Sequence, residues 1–552
     1  MDAIGKTPFL AHGHISRLGG ALSKALRTPP LALPLVLLLG LALRLWVVSH
    51  SPMAARDSIG FIRYALNLES PPAGKTVLGV IKSELHPPGY PAVLLLMSMP
   101  IRAATGETSC DTMVRAAQLT NVVAAVLLAI PMYLVGRRLL GPGVALLATA
   151  LFQVLPVGVQ ITSDGLSDGL FLLTAATALW FGVRAFEKPS PGRFALAGAA
   201  SGLAYLVRPE GLVLVAASGL VLLMGRRFAD SGRGRYALRN GSALVAGALL
   251  FTAPYMAIIG RISNKTTANG MVDVLQGKDP GKILQSRPVE TSSRGPLLAV
   301  WWNDGLNKGD SRYLWATTSL ISEVLKTFNY VGLPLALIGV WLLRKRAVHN
   351  PGVTLLLLVV ALHAAILWLM AAKIGYVSQR HTLLIVMAGS FFAAAAVPAV
   401  GRRLARLWRN AGPERAWSVG MGALLVVACV PAALKPLHAN RAGHRAAGLW
   451  LAEHTKPGDQ IVDPFRWAEF YAGRTLRSAD APDVHAGSVF VVAEPNSPSP
   501  HSRLPLLPQA QYFAERGDLV YHWPWEKPAD QAKVAIYRAP PLPFPPPADF
   551  PR

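Results

Sequence analysis

The sequence predicts an all-α polytopic membrane protein of about eleven transmembrane helices with a small C-terminal α/β domain. Three observations lead there. Hydrophobic residues make up 52% of the 552 residues and charged residues only 15%, too apolar for a soluble chain of this length. Apolar runs able to cross roughly 30 Å of hydrocarbon recur along most of the sequence. Beyond Pro436 they give way to short segments with the periodicities of helix and strand.

Residues 1–30 form a basic tail, with Lys6, Arg17, Lys24 and Arg27 ahead of the first apolar run. No small-residue cleavage site follows, so the first run is expected to remain as an uncleaved span. The residues 31–436 form the membrane unit, with spans expected at 31–49, 113–135, 142–160, 166–186, 194–208, 211–225, 241–260, 328–343, 352–372, 381–400 and 417–434. The stretches 194–208 and 211–225 are short and call for little tilt or a locally thin bilayer. Residues 90–101 are apolar but too short to cross, which suits an amphipathic or re-entrant helix at the interface.

The net charge of +24 invites nucleic acid as a partner, but the cations do not lie along one face. They sit in blocks at Arg137-Arg138, 184–193, 226–239, Arg344-Lys345-Arg346 and 402–415, on alternate loops, so topology explains them and nucleic acid is excluded. Those loops and the N-terminus are expected to be cytoplasmic. The large loops 50–112 and 261–327, the short ones at 161–165, 208–211 and 373–380, and everything after Pro436 then lie outside. Trp301, Trp302, Tyr313 and Trp315 in the second large loop suit headgroup depth. The basic loops fit a bacterial inner membrane, although an endoplasmic reticulum would suit the same topology. Cys110 and Cys429 are the only cysteines, which excludes a disulfide framework and a cysteine metal site.

Residues 437–538 read as an extracytoplasmic α/β domain. A helix is expected at 441–454 with Trp450 and Leu451 on its apolar side, strands at 460–462, 489–493, 519–522 and 533–538, and a helix at 465–471. The tail 539–552 is proline-rich and is expected to be extended or disordered.

The unusual polar residues cluster at the outer ends of the spans. Asp57, in Arg56-Asp57-Ser58-Ile59-Gly60-Phe61, is either a carboxylate able to take a proton from a hydroxyl or a helix cap. His86-Pro87-Pro88-Gly89-Tyr90 holds a histidine and a tyrosine on a stiff segment that suits positioning a reactant; a proline-rich helix start reads equally well. The repeat Ser163-Asp164-Gly165 and Ser167-Asp168-Gly169 brings two carboxylates to one face, with Asp164 expected as an N-cap. Asp168 is expected about one turn into the span, where it needs a cavity or a partner. A divalent cation at this pair stays an open alternative without a third ligand. Arg208-Pro209-Glu210-Gly211 offers a guanidinium suited to phosphate, which Glu210 either orients or merely ties into a turn. Tyr376 with Arg380-His381 makes a second cationic cluster, open to a snorkelling reading. Carboxylate, imidazole and guanidinium types together are what transfer from a lipid-linked phosphate demands: cations for the leaving phosphate, a base for the incoming hydroxyl.

From about residue 31 to residue 381 these motifs, in this order, resemble the GT-C class of polyprenyl-phosphate-sugar-dependent glycosyltransferases, in particular the group of protein O-mannosyltransferases and the lipid A aminoarabinose transferase. The resemblance rests on Asp57 with Phe61, on Pro87-Pro88 with Tyr90, on Asp164 to Asp168, on Arg208-Pro209-Glu210-Gly211 and on Arg380. It implies an inverting transfer with Asp57 as base. Ser58 stands where the family commonly has a second acid, and His86 where it often has a basic residue before the proline pair.

The sequence reading is therefore a membrane glycosyltransferase that moves a sugar from a polyprenyl-phosphate donor, among membrane lipids, to an extracytoplasmic acceptor hydroxyl. Asp57 is the catalytic candidate, and His86, Arg208 and Arg380 are the candidates for the donor phosphate. Tyr90, Asp164, Asp168, Glu210 and Tyr376 are candidates for the sugar or acceptor pocket. The rivals are a transporter or lipid-linked sugar flippase, whose polar residues belong nearer the midplane of broken helices, and an assembly factor acting through its C-terminal domain.

Overall fold

The computed structural model describes residues 29–224, 233–265, 312–374, 376–407, 414–476, 487–496 and 506–541. Its first span, α1 (Pro29–His50), leads into a loop built from three helices, α2 (Arg56–Glu69), α3 (Val77–Ser83) and α4 (Gly89–Thr105). The helix α3 is capped by Thr76, whose hydroxyl accepts from the Gly79 N–H at 3.1 Å. The next helices, α5 (Cys110–Leu127) and α6 (Ala129–Leu140), run together as one long span.

A break follows between α7 (Pro142–Val154) and α8 (Pro156–Ser163), which meet at 60°. Pro156 brings no N–H to the helix ladder, so carbonyls in the preceding turn lose partners. Arg44 of α1, fully buried, turns to this break and donates to the Gln153 carbonyl at 3.3 Å and the Thr162 hydroxyl at 2.8 Å.

Beyond it come α9 (Asp168–Glu187), α10 (Pro191–Val207), a single 3₁₀ turn Pro209–Gly211, α11 (Leu212–Leu223) and α12 (Arg233–Ile259). Small residues let α10 and α12 cross in backbone contact: a Cβ on Gly198 would meet the Leu244 carbonyl, and one on Gly247 the Ala195 carbonyl. The amphipathic α13 (Arg312–Thr327) turns through 100° into α14 (Gly332–His349), and Asn329 and Tyr330 at the corner have positive φ. The membrane unit ends with α15 (Pro351–Ile374), a 3₁₀ turn Gln379–Thr382, α16 (Leu383–Leu407) and α17 (Glu414–Ala433).

By length and composition, seven described helices can cross a bilayer, or up to nine if each bent pair counts as one. This is fewer than the eleven expected. The runs at 194–208 and 211–225 fold as the short α10 and α11, and the run at 142–160 is broken at Pro156. The expected interfacial segment 90–101 is part of α4. Tyr313 and Trp315 lie on α13, whereas Trp301 and Trp302 fall outside the described residues, as do most of the N-terminal tail and residues 542–552.

The C-terminal part is a four-stranded sheet in the order β1-β2-β4-β3, from β1 (Gln460–Val462), β2 (Val489–Ala493), β3 (Asp518–Trp523) and β4 (Val534–Ala539). Only β1 and β2 pair in parallel. The helices α18 (Ala442–His454) and α19 (Trp467–Tyr471) cover one side, where Ala447, Leu451 and Ala468 pack with Phe490 and Ile536. The helix α20 (Leu507–Ala514), not foreseen from sequence, packs Ala510 and Phe513 against Val489 and Val491. This domain docks on the membrane unit through Trp467 Nε1 to the Ala54 carbonyl at 3.1 Å and through Arg445 to Asp111 at 2.8 Å.

Candidate active site

The polar loop ends meet at one end of the helix bundle, and Arg380 ties them together. It stands in the 3₁₀ turn before α16. Nε donates to Asp168 Oδ2 at 2.6 Å and Nη1 donates to Asp57 Oδ2 at 2.6 Å. One planar fork thus joins the carboxylates of α2 and α9. Asp168 is buried and also accepts from Arg208 Nη1 through its other oxygen. Arg208 Nη2 lies 3.4 Å from Glu210 Oε1, and Lys265 Nζ lies 3.9 Å from the same oxygen. The centre therefore alternates three carboxylates with three cations. Among the described residues, buried Arg208 Nε and Glu210 Oε2 have no hydrogen-bond partner, which leaves a donor and an acceptor at the site unspent.

The backbone explains these positions. Arg208 closes α10, where Pro209 forbids the helix from continuing, and Gly211 packs so tightly on Ala204 and Tyr205 that the turn has no room for a side chain. Asp57 lies within the first turn of α2, whose N-cap residue is Ala55, so its carboxylate is spent on Arg380 and not on capping. About half of the Asp57 side chain is exposed, and Oδ1 makes no hydrogen bond among the described residues. Burial works against the Asp57 charge, but the charge and hydrogen bond of Arg380 outweigh it and hold the carboxyl below its ordinary value.

The remaining candidates fall around this centre. The His86 ring packs 4.8 Å from Phe61, and burial, with Lys265 next, pushes its pKa down to about 4, so His86 is neutral at physiological pH. Tyr90 stands behind Phe61, fully buried, with its hydroxyl donated to the Ala117 carbonyl at 3.1 Å. Tyr376 is exposed, and its ring meets His381 edge on at 5.6 Å.

Asp164 does not cap α9. It terminates α8, its Oδ1 accepting from the N–H groups of Ala55 and Gly165, both at 2.8 Å, while Oδ2 meets His438 Nε2 at 2.7 Å. The expected span start moves accordingly, from residue 166 to Asp168 as the first residue of α9. Asn121 fastens this junction, donating to the Ile161 and Asp164 carbonyls and accepting from Gly169 N–H at 2.6 Å.

Lys265, His438 and His363 were not singled out from the sequence. Burial lowers the Lys265 pKa, opposed by Glu210, and the signal for it was a lysine a few residues past a span on the same side as Arg208. His363 is buried inside α15 and meets the His381 carbonyl at 3.0 Å; an ionisable residue within an apolar run was the signal. His438 carried no local signal.

The carboxylates do not fit a divalent cation as they stand. Arg380 fills the place between Asp57 and Asp168, Asp164 is saturated by N–H groups and His438, and no three His, Cys, Asp or Glu side chains converge among the described residues.

Comparisons with known proteins agree on the architecture. Residues 110–257 match the family model described as dolichyl-phosphate-mannose-protein mannosyltransferase. No curated protein matches the sequence. The fold is similar to ArnT from Cupriavidus metallidurans bound to undecaprenyl phosphate, with 13% identity, a TM-score of 0.53, and coverage of 91% of this chain and 97% of that one. It is also similar to the archaeal oligosaccharyltransferase AglB from Archaeoglobus fulgidus in complex with an inhibitory peptide and a dolichol-phosphate, with 14% identity and a TM-score of 0.52. That match covers 82% of this chain and 65% of the archaeal enzyme, so the chain spans about two thirds of its length. At these identities the likeness is one of fold: the chain is an integral membrane protein with the fold of GT-C glycosyltransferases.

Proposed function

We propose that the chain is a glycosyltransferase that moves a sugar from a polyprenyl-phosphate donor to an acceptor hydroxyl outside the cytoplasm, with inversion. The observation that carries this reading is the fork of Arg380 between the half-exposed Asp57 and the buried Asp168, beside an Arg208 with an unspent donor. The acceptor oxygen attacks the anomeric carbon on the face opposite the phosphate. The bond from that carbon to the phosphate oxygen breaks, and its electron pair leaves on the lipid phosphate. The hydroxyl proton passes to Asp57 Oδ1, the oxygen that Arg380 does not hold.

The proton and the leaving group are coupled through Arg380. While Asp57 is ionised it shares the guanidinium with Asp168. Once protonated, it attracts Arg380 less, and that positive charge becomes available as negative charge gathers on the departing phosphate. Arg208 and Lys265 supply the remaining cations, and neutral His86 offers a hydrogen bond without charge. Donor binding from within the bilayer explains why the site lies at the bundle end.

Purified protein in nanodiscs, incubated with a panel of polyprenyl-phosphate sugars, is expected to release lipid phosphate. Asp57→Asn is expected to stop release while binding the donor normally. An Asp57→Asn protein with full activity removes the base, and movement of an intact lipid-linked sugar across the bilayer identifies a flippase instead.

A further inference from the structure

His438 takes no part in the transfer described above, yet it stands where the C-terminal domain begins. It lies between α17 and the 3₁₀ turn Ala439–Arg441 that opens α18, with its φ at 53°. A residue with a Cβ adopts that left-handed conformation only where its surroundings impose it. Here the turn brings the imidazole onto Asp164: Nε2 lies 2.7 Å from Oδ2, and because an ionised carboxylate only accepts, Nε2 donates.

Asp164 is buried, and its other oxygen accepts from the Ala55 N–H at 2.8 Å. The two oxygens share one rigid plane, so the hydrogen bond that sets Oδ2 also sets the direction of Oδ1. Ala55 is the N-cap residue of α2 and has no side chain able to cap, so the start of this helix is held from outside. Asp57 follows two residues later. The turn that carries Asp164 also packs on this first helical turn, since a Cβ on Gly165 would come within 2.8 Å of the Ser58 hydroxyl oxygen. Arg380 holds Oδ2 of Asp57, so the direction of Oδ1 depends on how α2 starts. Two further contacts run from the domain and its linker to the same stretch: the Leu437 N–H donates to Ser51 Oγ at 2.9 Å, and Trp467 Nε1 to the Ala54 carbonyl at 3.1 Å. Both hold the loop ahead of the helix, whereas the path through Asp164 ends on its N-cap.

We propose that His438 is a positioning residue: by fixing Asp164 it aims the first turn of α2, and with it Asp57 Oδ1, so that the seating of the C-terminal domain sets the base. The inference rests on the reading of Asp57 as base. Without His438, Oδ2 of a buried carboxylate loses its partner, turns toward water at the linker and takes Oδ1 away from Ala55.

The test uses the full chain in phosphatidylcholine nanodiscs. Amide exchange at Ala55 reads the start of α2, calorimetry reads farnesyl phosphate binding, and single-turnover release of lipid phosphate from the panel of polyprenyl-phosphate sugars reads transfer. In His438→Leu, exchange at Ala55 should rise about tenfold and release should fall about tenfold, as expected for one lost hydrogen bond, while the Kd for farnesyl phosphate stays within about twofold. His438→Gly suits the left-handed backbone but has no donor, and should behave as His438→Leu does. His438→Gln, whose amide N–H can take the place of Nε2, should restore both exchange and release. Ser51→Ala cuts the neighbouring tether, leaves Asp164 in place and should change neither. Natural exchange at Ala55 in His438→Leu and His438→Gly overturns the proposal, as does a His438→Gln protein as impaired as these two or a Ser51→Ala protein that matches them. A tenfold loss of farnesyl phosphate affinity in His438→Leu also overturns it, because the whole site and not its aim has then been lost. The base reading fails separately, if Asp57→Asn releases lipid phosphate at the natural rate while exchange at Ala55 responds to His438 as expected.

Discussion

Arg380→Lys keeps the charge and removes the fork. In the natural protein the guanidinium holds two carboxylates from two of its nitrogens, each at 2.6 Å. A lysine ammonium, on a shorter reach and without the planar spread, can hold one of them. It should keep Asp168, because that carboxylate is buried and only Arg208 would otherwise neutralise it, whereas Asp57 is half exposed and water can take over part of the lost contact. The loss is thus one charge-assisted hydrogen bond at the wetter end, about 1.5 kcal/mol, or roughly tenfold in the rate of lipid phosphate release under single turnover. The pH profile adds a second readout. Arg380 outweighs burial to hold the Asp57 carboxyl below its ordinary value, and a base works only when ionised. Activity should therefore fall on the acid side as pH drops through this depressed value. In Arg380→Lys that limb should move to higher pH, because burial is no longer outweighed as strongly. A lysine variant with the natural rate and an unmoved acid limb refutes the bridging role.

Other consequences are simpler to read. Asp168→Asn should lower thermal stability in detergent as well as activity, because it strips a buried carboxylate from two arginines; about 3–5 kcal/mol is expected for breaking such a pair, and an unchanged melting temperature contradicts it. Gly247→Val should separate α10 from α12 and displace Arg208, so donor binding should fall even though residue 247 touches no substrate; unaltered farnesyl phosphate affinity contradicts this. Chelation by EDTA should leave transfer unchanged, since Arg380 stands between the two nearest carboxylates, and a loss restored by added divalent cation contradicts this arrangement.

The membrane character, the C-terminal strands and the residue types of the site were legible in the sequence because each has a local signature. An apolar run, an alternating run, or a charge at the end of a span needs only its neighbours to be recognised. The number of spans was less legible. Hydropathy measures how apolar a run is, while Pro156 and the short α10 and α11 change how far the backbone extends. The roles of paired acids were harder still. Asp57 and Asp164 both carry the sequence signature of an N-cap, yet neither caps a helix, because each has a stronger partner far away in the chain. Arg380 is 323 residues from Asp57, and His438 is 274 residues from Asp164. A capping hydrogen bond is modest, whereas a guanidinium or imidazole delivered by a packed helix end adds charge in a place water scarcely reaches, so the distant partner wins. The same competition explains why the site stays open. Every carboxylate taken by a distant cation is removed from local use, and among the described residues Asp57 Oδ1 and Arg208 Nε remain unspent, the two atoms that the proposed transfer assigns to its substrates.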